Sequence, residues 1–467
     1  MNHNFDPTVL REYDIRGIIG ETLGPDDARA IGRSFATLLK RAGGSKVAVC
    51  YDGRVSSPIL ESALVEGLNG SGCDVVRVGM GPTPMLYYAA ASANDVDGGI
   101  QITGSHNPAN YNGFKMVFQG RPFFGEDILT IGRMAEAGDW IDGVGGVEDR
   151  DILDEYIDRL VAGFGDIDQS ALAGLKVGWD NGNGAAGPAL EKLAARLPGE
   201  HHLLYTDVDG NFPNHHPDPT VEANLEDLRA LVAEKNLDFG VAFDGDGDRI
   251  GAIDGEGRVI WGDQLLMIYA EELLQRMPGS TIIADVKASR ALFDHVSAHG
   301  GKPVMWKTGH SLIKSKMKET GSPLAGEMSG HVFFADEYYG YDDALYAGVR
   351  LITAAARLGK SVTELRGAMP NMINTPEMRF QVDESRKFAA IDEVKERLAN
   401  SPAQVDGTDG VRVTTDDGWW LLRASNTQDV LVARAESESE AGLERLMAQI
   451  DEQLALSGLE RGESVGH

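Results

Sequence analysis

A short apolar segment that ends in an acidic residue recurs along the chain, and this repeat constrains the fold more than any other feature. The three segments, KVAVCY-Asp52, LKVGW-Asp180 and TIIA-Asp285, begin near residues 46, 175 and 281. A polar or glycine-rich turn and then a helix are expected after each one. Strands that alternate with helices are typical of largely parallel sheets, and the spacing is about one domain. The sequence therefore predicts an α/β fold with three similar units in series.

The last part of the chain follows a different pattern, and we expect a smaller α+β domain there. Its predicted strands lie near residues 377–382, 410–414, 419–422 and 430–435, and a predicted helix lies at 438–454. A chain of 467 residues suits about three or four domains. The predicted domain limits are 1–150, 151–254, 255–369 and 370–467.

Composition excludes several classes of function. The net charge of −29 repels nucleic acid and anionic membranes, so an anionic substrate would need a local basic site. Cys50 and Cys73 are too few for a disulfide scaffold, which favours a reducing compartment. The polar N-terminal stretch predicts that no signal peptide is present, and no apolar run approaches the roughly 18–20 residues that span a bilayer. We expect a cytoplasmic monomer without nucleic-acid or membrane partners.

The sequence TGSHNP at residues 103–108 follows an apolar segment at 99–102. Open α/β sheets bind ligands at the carboxyl ends of their strands. Ser105 is expected to be exposed and approachable there, with His106 and Lys115 nearby in the sequence. A polar turn in which Ser105 only caps a helix explains this motif alone equally well.

An acidic cluster follows the buried-strand pattern FGVAF, where Asp244, Asp246 and Asp248 alternate with glycines. Crowded carboxylates repel one another, and their oxygens suit a hard cation such as Mg²⁺ or Ca²⁺. Arg249 is placed to neutralise a bound phosphate. An EF-hand loop is excluded, because Arg249 and Gly255 stand where that loop needs glycine and glutamate. A solvated acidic turn remains an alternative.

Two further polar loops are suited to a phosphosugar. Glu327 and Ser329 offer groups for sugar hydroxyls, and His331 offers a group for proton transfer. The stretch RASNT at residues 423–427 offers a guanidinium, two hydroxyls and an amide, which suit a phosphate. Taken alone, the first loop is more typical of a structural turn, and the second could equally be a polar hairpin turn.

A glycine pattern supports a competing function. Gly182, Gly184 and Gly187 match G-x-G-x-x-G between a predicted strand and a predicted helix, and Asp207 follows about twenty residues later. This arrangement is typical of dinucleotide binding, so an NAD-dependent dehydrogenase is an alternative. It leaves the Ser105 loop, the acidic cluster and the RASNT loop unexplained, and close packing of the helix on the strand is another explanation for the glycines.

Taken together, the motifs resemble the α-D-phosphohexomutase family, with the nearest likeness to its bacterial phosphomannomutase/phosphoglucomutase branch. The motifs, in order, are YDIRG at 13–17, TGSHNP at 103–108, NGFK at 112–115, VDGNFPNHHPDP at 208–219, DGDGDR at 244–249, KTGHS at 307–311, GEMSGH at 326–331 and RASNT at 423–427. The resemblance runs across nearly the whole chain. It implies four domains around a central cleft, with a fourth domain that can swing.

The resemblance also implies a role for each matching residue. Ser105 corresponds to a phosphoserine carrier whose phosphate completes a Mg²⁺ site made by Asp244, Asp246 and Asp248. Arg16, Lys115 and His331 are implied near the transferred phosphoryl group, and the proton acceptor among them stays open. The implied substrate-binding residues are Tyr13, Arg249, Lys287, His310, Glu327, Ser329, Arg423, Ser425, Asn426 and Thr427.

The implied activity is reversible transfer of a phosphoryl group between C1 and C6 of mannose or glucose phosphates. A bound hexose 1,6-bisphosphate would form and turn end for end, so a small phosphosugar is the expected partner. Phosphoglucosamine mutase is an alternative, although that branch usually has glutamine where Met328 stands. A second alternative is a phosphosugar-binding protein without catalytic activity. The presence of both the serine carrier and the metal ligands argues against it, because binding alone requires neither.

Overall fold

Three successive sheets share one strand order in the computed structural model, which describes residues 2–426 and 428–462. The first unit consists of β1 (Ile15–Ile18), α1 (Pro25–Arg41), β2 (Lys46–Tyr51), α2 (Ser57–Gly70), β3 (Asp74–Met80), α3 (Thr83–Ser92), β4 (Gly98–Ile102), β5 (Tyr111–Phe118), β6 (Arg121–Pro122), α4 (Glu126–Ala137) and β7 (Val147–Asp149). Its sheet has the order β1-β5-β4-β2-β3-β7, with β6 paired to β5.

The second unit has a five-stranded sheet of order β12-β11-β10-β8-β9. Its elements are α5 (Leu153–Val161), β8 (Lys176–Asp180), α6 (Gly187–Ala194), β9 (Glu200–Leu204), α7 (Glu226–Lys235), β10 (Phe239–Phe243), β11 (Ile250–Asp254) and β12 (Val259–Ile260), with 3₁₀ turns at Ala162–Phe164, Gln169–Leu172 and Glu222–Leu225. All five residues of β10 are buried, as its uninterrupted apolar sequence predicts.

The third unit has a four-stranded sheet of order β14-β13-β15-β16. Its elements are α8 (Gly262–Arg276), β13 (Thr281–Asp285), α9 (Arg290–Ala298), β14 (Lys302–Trp306), α10 (His310–Thr320), β15 (Leu324–Gly326), β16 (Val332–Phe334), α11 (Ala344–Leu358) and α12 (Val362–Gly367). Much of the apolar face of α11 packs in one core to which the first three units all contribute.

The fourth unit differs, because every strand pair in its sheet is antiparallel. Its elements are β17 (Ile373–Asn374), β18 (Met378–Gln381), α13 (Glu384–Leu398), β19 (Gln404–Asp406), β20 (Val411–Thr415), β21 (Gly418–Ala424), β22 (Val430–Ser437) and α14 (Glu440–Leu456). Trp420 and the apolar faces of α13 and α14 form its separate core.

The repeat predicted from the sequence is confirmed in the strand order. The series β5-β4-β2-β3, β11-β10-β8-β9 and β16-β15-β13-β14 are equivalent, with the first strand of each antiparallel to the next and the other pairs parallel. The α/β class and the smaller α+β domain are thus confirmed. The predicted limits of the four domains stay predictions.

Two expectations from composition can be compared with the structure. Cys50 and Cys73 are both buried and unpaired. None of the helices within residues 2–426 and 428–462 combines the length and the apolar character that crossing a bilayer requires.

Candidate active site

The predicted site loops occupy the same position in the three repeated units. Each loop begins at the carboxyl end of a strand of the parallel series and leads into the antiparallel strand that pairs with it. The β4–β5 connection carries Ser105, the β10–β11 connection carries the three aspartates, and the β15–β16 connection carries Glu327, Ser329 and His331. Equivalent topology therefore brings three distant parts of the sequence to one place.

These loops border a cleft of about 710 Å³ to which all four units contribute. Its described lining includes eight lysine and arginine side chains against four acidic ones. The basic side chains are Arg11, Arg16, Lys115, Arg249, Lys287, Arg379, Arg423 and Arg434. A local excess of cations in a chain of net charge −29 attracts an anionic ligand to this cleft.

Ser105 has an unusual backbone conformation for a residue with a side chain. Its φ is 50°, in the left-handed region that costs energy for most side chains and that clusters at functional sites. Its Oγ donates to Oδ2 of Asp244 at 3.1 Å and lies 3.3 Å from Nδ1 of His106. The expectation of an exposed serine is wrong, since Ser105 is only 2% exposed. A strand and not a helix follows the loop, so Ser105 is not a helix cap.

Arg54 holds this strained loop in place, and the sequence had not singled it out. Its guanidinium is buried and donates to the main-chain oxygens of Ser105, Asn107, Pro108 and Tyr111 at 2.6–3.0 Å. Four carbonyls on one guanidinium leave the loop little freedom. The one feature of the sequence that pointed to Arg54 was its position in the loop directly after β2, where α/β sheets place their functional residues.

Two neighbouring residues support the same loop. Asp52, at the end of β2, accepts from the amide of Gly104 at 3.0 Å. Arg16 donates to the main-chain oxygen of Gly104 at 3.0 Å and pairs with Asp14. Arg16, which was predicted to lie near the transferred phosphoryl group, thus contacts the loop that carries Ser105 (the serine loop).

Asp244, Asp246 and Asp248 are completely buried, and one oxygen of each lies within 4.8 Å of the others. Lys115 donates to Asp246 at 2.7 Å and to Asp248 at 2.5 Å, and Thr83 donates to Asp246 at 2.5 Å. Oδ1 of Asp246 and Oδ1 of Asp248 have no hydrogen-bond partner among the described residues. Buried carboxylate oxygens without donors are what a hard cation satisfies, so these residues fit Mg²⁺.

The electrostatics of the cluster lead to the same conclusion. Burial, together with Asp246 and Asp248, raises the pKa of Asp244 well above its ordinary value. Burial also acts to raise the pKa of Asp246, but Lys115, Thr83 and Arg16 together outweigh it and lower that pKa. One lysine is therefore too little charge to keep all three carboxylates ionised, and a divalent cation would supply the rest.

His331 lies between the guanidinium of Arg249 and the carboxylate of Asp342. Its Nε2 accepts from Nε of Arg249 at 3.0 Å, and its Nδ1 lies 2.8 Å from Oδ2 of Asp342. Because arginine only donates, Nε2 carries no proton and Nδ1 faces Asp342 with one. His310 stacks on His331 with ring centroids 5.5 Å apart, and burial lowers the pKa of His310. Asp342 was missed, since no motif marks it.

Hydrogen bonds fix the conformation of the β15–β16 connection in the third unit. Glu327 accepts from the amide of Gly309 at 2.5 Å and from the hydroxyl of Ser329 at 3.2 Å. Asp285, at the end of β13, accepts from the amide of Met328 at 3.0 Å, as Asp52 does for the serine loop. The repeated acidic residue thus holds a site loop in both units.

The fourth unit contributes a charged wall. Lys287 pairs with Glu377 at 2.9 Å, although Glu377 was not predicted. Nε of Arg423 donates to Oδ2 of Asp409 at 3.0 Å, and that oxygen also accepts from the amide of Thr308 in the third unit.

The predicted phosphate loop also reaches the first unit. The side-chain amide of Asn426 donates to the hydroxyl of Tyr13 at 2.6 Å. The main-chain amide of Gln428 donates to the hydroxyl of Ser425 at 3.2 Å. This loop is the turn between β21 and β22. The predicted residue Thr427 lies outside the described residues.

The remaining predicted residues gather at the cleft. Those that line it are Tyr13, Arg16, Ser105, Lys115, Arg249, Lys287, His310, Glu327, Ser329, His331, Arg423, Ser425 and Asn426. The three aspartates lie buried behind Ser105.

The glycine pattern of the dehydrogenase alternative has a packing role. A Cβ on Gly184 would lie 2.9 Å from the oxygen of Gly245, and one on Gly187 would lie 1.9 Å from the oxygen of Thr206. The amide of Ala185 donates to the oxygen of Gly245 at 2.9 Å. This loop therefore packs against the aspartate loop, where a pyrophosphate would have to bind.

Models of a known family match the chain in four consecutive parts. They are described as phosphoglucomutase/phosphomannomutase alpha/beta/alpha domain I at residues 7–141, domain II at 154–257, domain III at 261–372 and the C-terminal domain at 377–453.

Individual proteins are similar over almost the whole length. Phosphomannomutase/phosphoglucomutase of Pseudomonas aeruginosa is 46% identical, over 96% of this chain and 95% of its own. Phosphoglucomutase of Neisseria meningitidis is 42% identical, over 96% of both. A solved phosphoglucomutase/phosphomannomutase family protein from Burkholderia thailandensis superposes with a TM-score of 0.91 at 43% identity, covering 99% of this chain and 100% of that one.

Proposed function

The chain belongs to the phosphoglucomutase/phosphomannomutase family, and from this premise we propose that it is a hexose-phosphate mutase that works through a phosphoserine at Ser105. The reaction is reversible transfer of a phosphoryl group between C1 and C6 of mannose or glucose phosphates. A cytoplasmic location and a monomeric state complete the proposal.

One observation carries the proposal: Oγ of Ser105 lies 3.1 Å from Oδ2 of Asp244, at the wall of a basic cleft. A serine held in a strained conformation beside three buried carboxylates is poorly explained as a structural turn. It is well explained as a phosphoryl carrier next to a cation site.

Asp244, Asp246 and Asp248 would hold the Mg²⁺ ion, together with an oxygen of phosphorylated Ser105. When bound, the ion would neutralise charge on the phosphoryl group. Lys115 sits against the same carboxylates and would take part in that neutralisation. Burial acts to lower the pKa of Lys115, but Asp246 and Asp248 outweigh it and raise it, so this amine stays charged.

The chain's own residues would position and neutralise the substrate. Arg16 and Arg249 line the cleft near the serine loop and would offset the charge of the reacting phosphate. Arg249 is oriented by His331, which is oriented in turn by Asp342. The proton acceptor for the sugar hydroxyl stays open among Lys115, His331 and Arg16, and the charge on Lys115 is unfavourable for that role.

The opposite side of the cleft would bind the sugar and the phosphate that does not react. Glu327 and Ser329 offer polar atoms for sugar hydroxyls, and Arg423, Ser425 and Asn426 offer donors for the distal phosphate. A hexose 1,6-bisphosphate formed by Ser105 would turn end for end between these two sides. Ser105 would then take back the other phosphoryl group.

Replacing Ser105 by alanine should lower steady mutase turnover by more than about 10³-fold, because the carrier is lost. Turnover of glucose 1-phosphate is the measurement, and intact mass should show a phosphorylated fraction in the wild type and not in Ser105→Ala. Ser92→Ala, in the same unit, is the matched control. Full activity of Ser105→Ala would disprove the carrier role.

Removing divalent metal with a chelator should stop turnover, and added Mg²⁺ should restore it. Asp246→Asn should not be restored at the same Mg²⁺ concentration, because one anionic ligand is missing. The control is Asp139→Asn, an exposed carboxylate paired with Arg41 on the surface. Metal-independent turnover would remove the aspartate cluster from the proposed mechanism.

The sugar preference is proposed from the loop at residues 326–331, where Met328 lines the cleft. We expect mannose and glucose phosphates to react faster than glucosamine phosphate. Relative kcat/KM values on the three sugars test this, and a preference for glucosamine phosphate would favour the alternative.

A further inference from the structure

Glu271, His295 and His299 form a cluster at the surface of the third unit, and none of them lines the cleft. Glu271 lies on α8, His295 lies on α9, and His299 directly follows α9. Residues four apart on a helix share a face, so both imidazoles turn towards α8. Nε2 of His295 is 3.5 Å from Oε2 of Glu271, and Nε2 of His299 is 4.0 Å from the same oxygen.

The other ring nitrogen of His299 is already used as a donor. Nδ1 of His299 is 2.9 Å from the main-chain oxygen of His295, so it carries a proton. Such a main-chain bond holds a metal-binding histidine with Nε2 unprotonated. Nε2 of His295 is buried without a hydrogen-bond partner among the described residues, and a bound ion would satisfy it.

Three atoms that can bind a metal ion therefore face one another. Nε2 of each histidine converges with the carboxylate oxygen Oε2 of Glu271, while Lys360 donates to the other carboxylate oxygen at 3.1 Å. A bound cation would satisfy all three atoms at once.

We propose that this cluster is a second metal site, in which His295, His299 and Glu271 bind a divalent transition-metal ion of the Zn²⁺ class. Ligands at about 2.0–2.2 Å in a tetrahedral arrangement are separated by roughly 3.3–3.6 Å, so a small movement of His299 completes the site. Imidazole nitrogens select Zn²⁺ over Mg²⁺, which prefers oxygen ligands. The ion would tie α8 to α9 outside the cleft.

Zinc titration of the metal-free full-length chain tests this site. Excess Mg²⁺ is present throughout, so that the aspartate cluster does not take up the added Zn²⁺. The wild type should bind one Zn²⁺, and the double variant His295→Gln/His299→Gln should bind it at least about tenfold more weakly. His202→Gln, which changes another histidine paired with a glutamate, should bind as the wild type does.

Two further measurements separate loss of ligands from loss of fold. In excess Mg²⁺ without Zn²⁺ the thermal midpoint should be equal for the wild type and the double variant, and added Zn²⁺ should raise it only in the wild type. If the double variant folds poorly, Glu271→Gln repeats the test with both histidines in place. Equal zinc affinity in the wild type and these variants, or no stoichiometric zinc binding by the wild type, would overturn the proposal.

Discussion

The imidazole of His215 has a hydrogen-bond acceptor at each nitrogen. Nδ1 is 3.0 Å from the main-chain oxygen of His216, and Nε2 is 3.0 Å from Oδ2 of Asp180. Both contacts need a donor, so the ring carries two protons. Burial acts to lower the pKa of His215, but the hydrogen bonds to Asp180 and to the His216 carbonyl, together with the negative charges of Asp180 and Asp227, outweigh it and raise the pKa above its ordinary value. One residue thus joins the loop at 208–219 to the end of β8.

The contribution of His215 to stability should depend on pH. A histidine whose folded pKa is raised stabilises the folded state fully below the unfolded pKa of about 6.5, and the effect is lost as pH rises through the folded pKa. His215→Gln should therefore lower the urea midpoint more at about pH 6 than at about pH 9. His202→Gln serves as the surface control. An equal decrease of the urea midpoint at both pH values would contradict the claim that His215 is protonated and paired with Asp180.

The loops that carry Ser105 and the aspartates touch through a glycine. A Cβ on Gly245 would lie 2.5 Å from the main-chain oxygen of Ser105 and 3.3 Å from Pro217. Only a residue without a side chain lets these two connections, β4–β5 and β10–β11, approach as they do. The distance between the carrier and the metal ligands is therefore set at the level of elements.

Gly245→Ala should lower kcat by about 10²-fold while the fold persists, because the added methyl group displaces the serine loop by a fraction of an ångström to one ångström. Steady-state kinetics and a thermal melt are the measurements. In Gly174→Ala the Cβ meets nothing within 4 Å, so this variant should retain wild-type activity. Wild-type kcat in Gly245→Ala would show that the two loops need not be in contact.

Across the whole molecule, the fourth unit packs against the third through the buried cluster of Val286, Trp419 and Leu421, and separate polar contacts join it to the cleft. Asp409 bridges Arg423 and the amide of Thr308, and Asn426 bonds Tyr13. These contacts at the cleft are individually modest, so they can break and re-form when a substrate enters or turns. Asp409 does not line the cleft itself.

Asp409→Ala should raise the KM for hexose phosphate about tenfold with a smaller change in kcat, because Arg423 and the third unit lose their shared acceptor. Steady-state kinetics with a hexose phosphate as substrate test this. Asp416→Ala, an exposed carboxylate of the same unit, is the control. An unchanged KM would mean that Asp409 does not position Arg423.

The extent of sequence-based prediction differs from residue to residue. Phe239–Phe243 is a strand with the predicted bounds, because an uninterrupted apolar run is a local signal. Arg54 could not be assigned its role, since its four acceptors lie more than fifty residues away. Asp342 and Asp409 were missed for the same reason. Their sequence neighbours carry no motif, and their partners are defined only by packing.

The sequence by itself determined the α/β repeat, the smaller last domain and the loops that carry the chemistry, since strand periodicity and side-chain type are properties of short segments. Tertiary structure alone decided that Ser105 is buried in a strained conformation, that Arg54 holds its loop, and that Asp409 joins Arg423 to the third unit. These features depend on where the carboxyl ends of β4, β10 and β15 meet. That meeting is set by the packing of whole units, which no local pattern encodes.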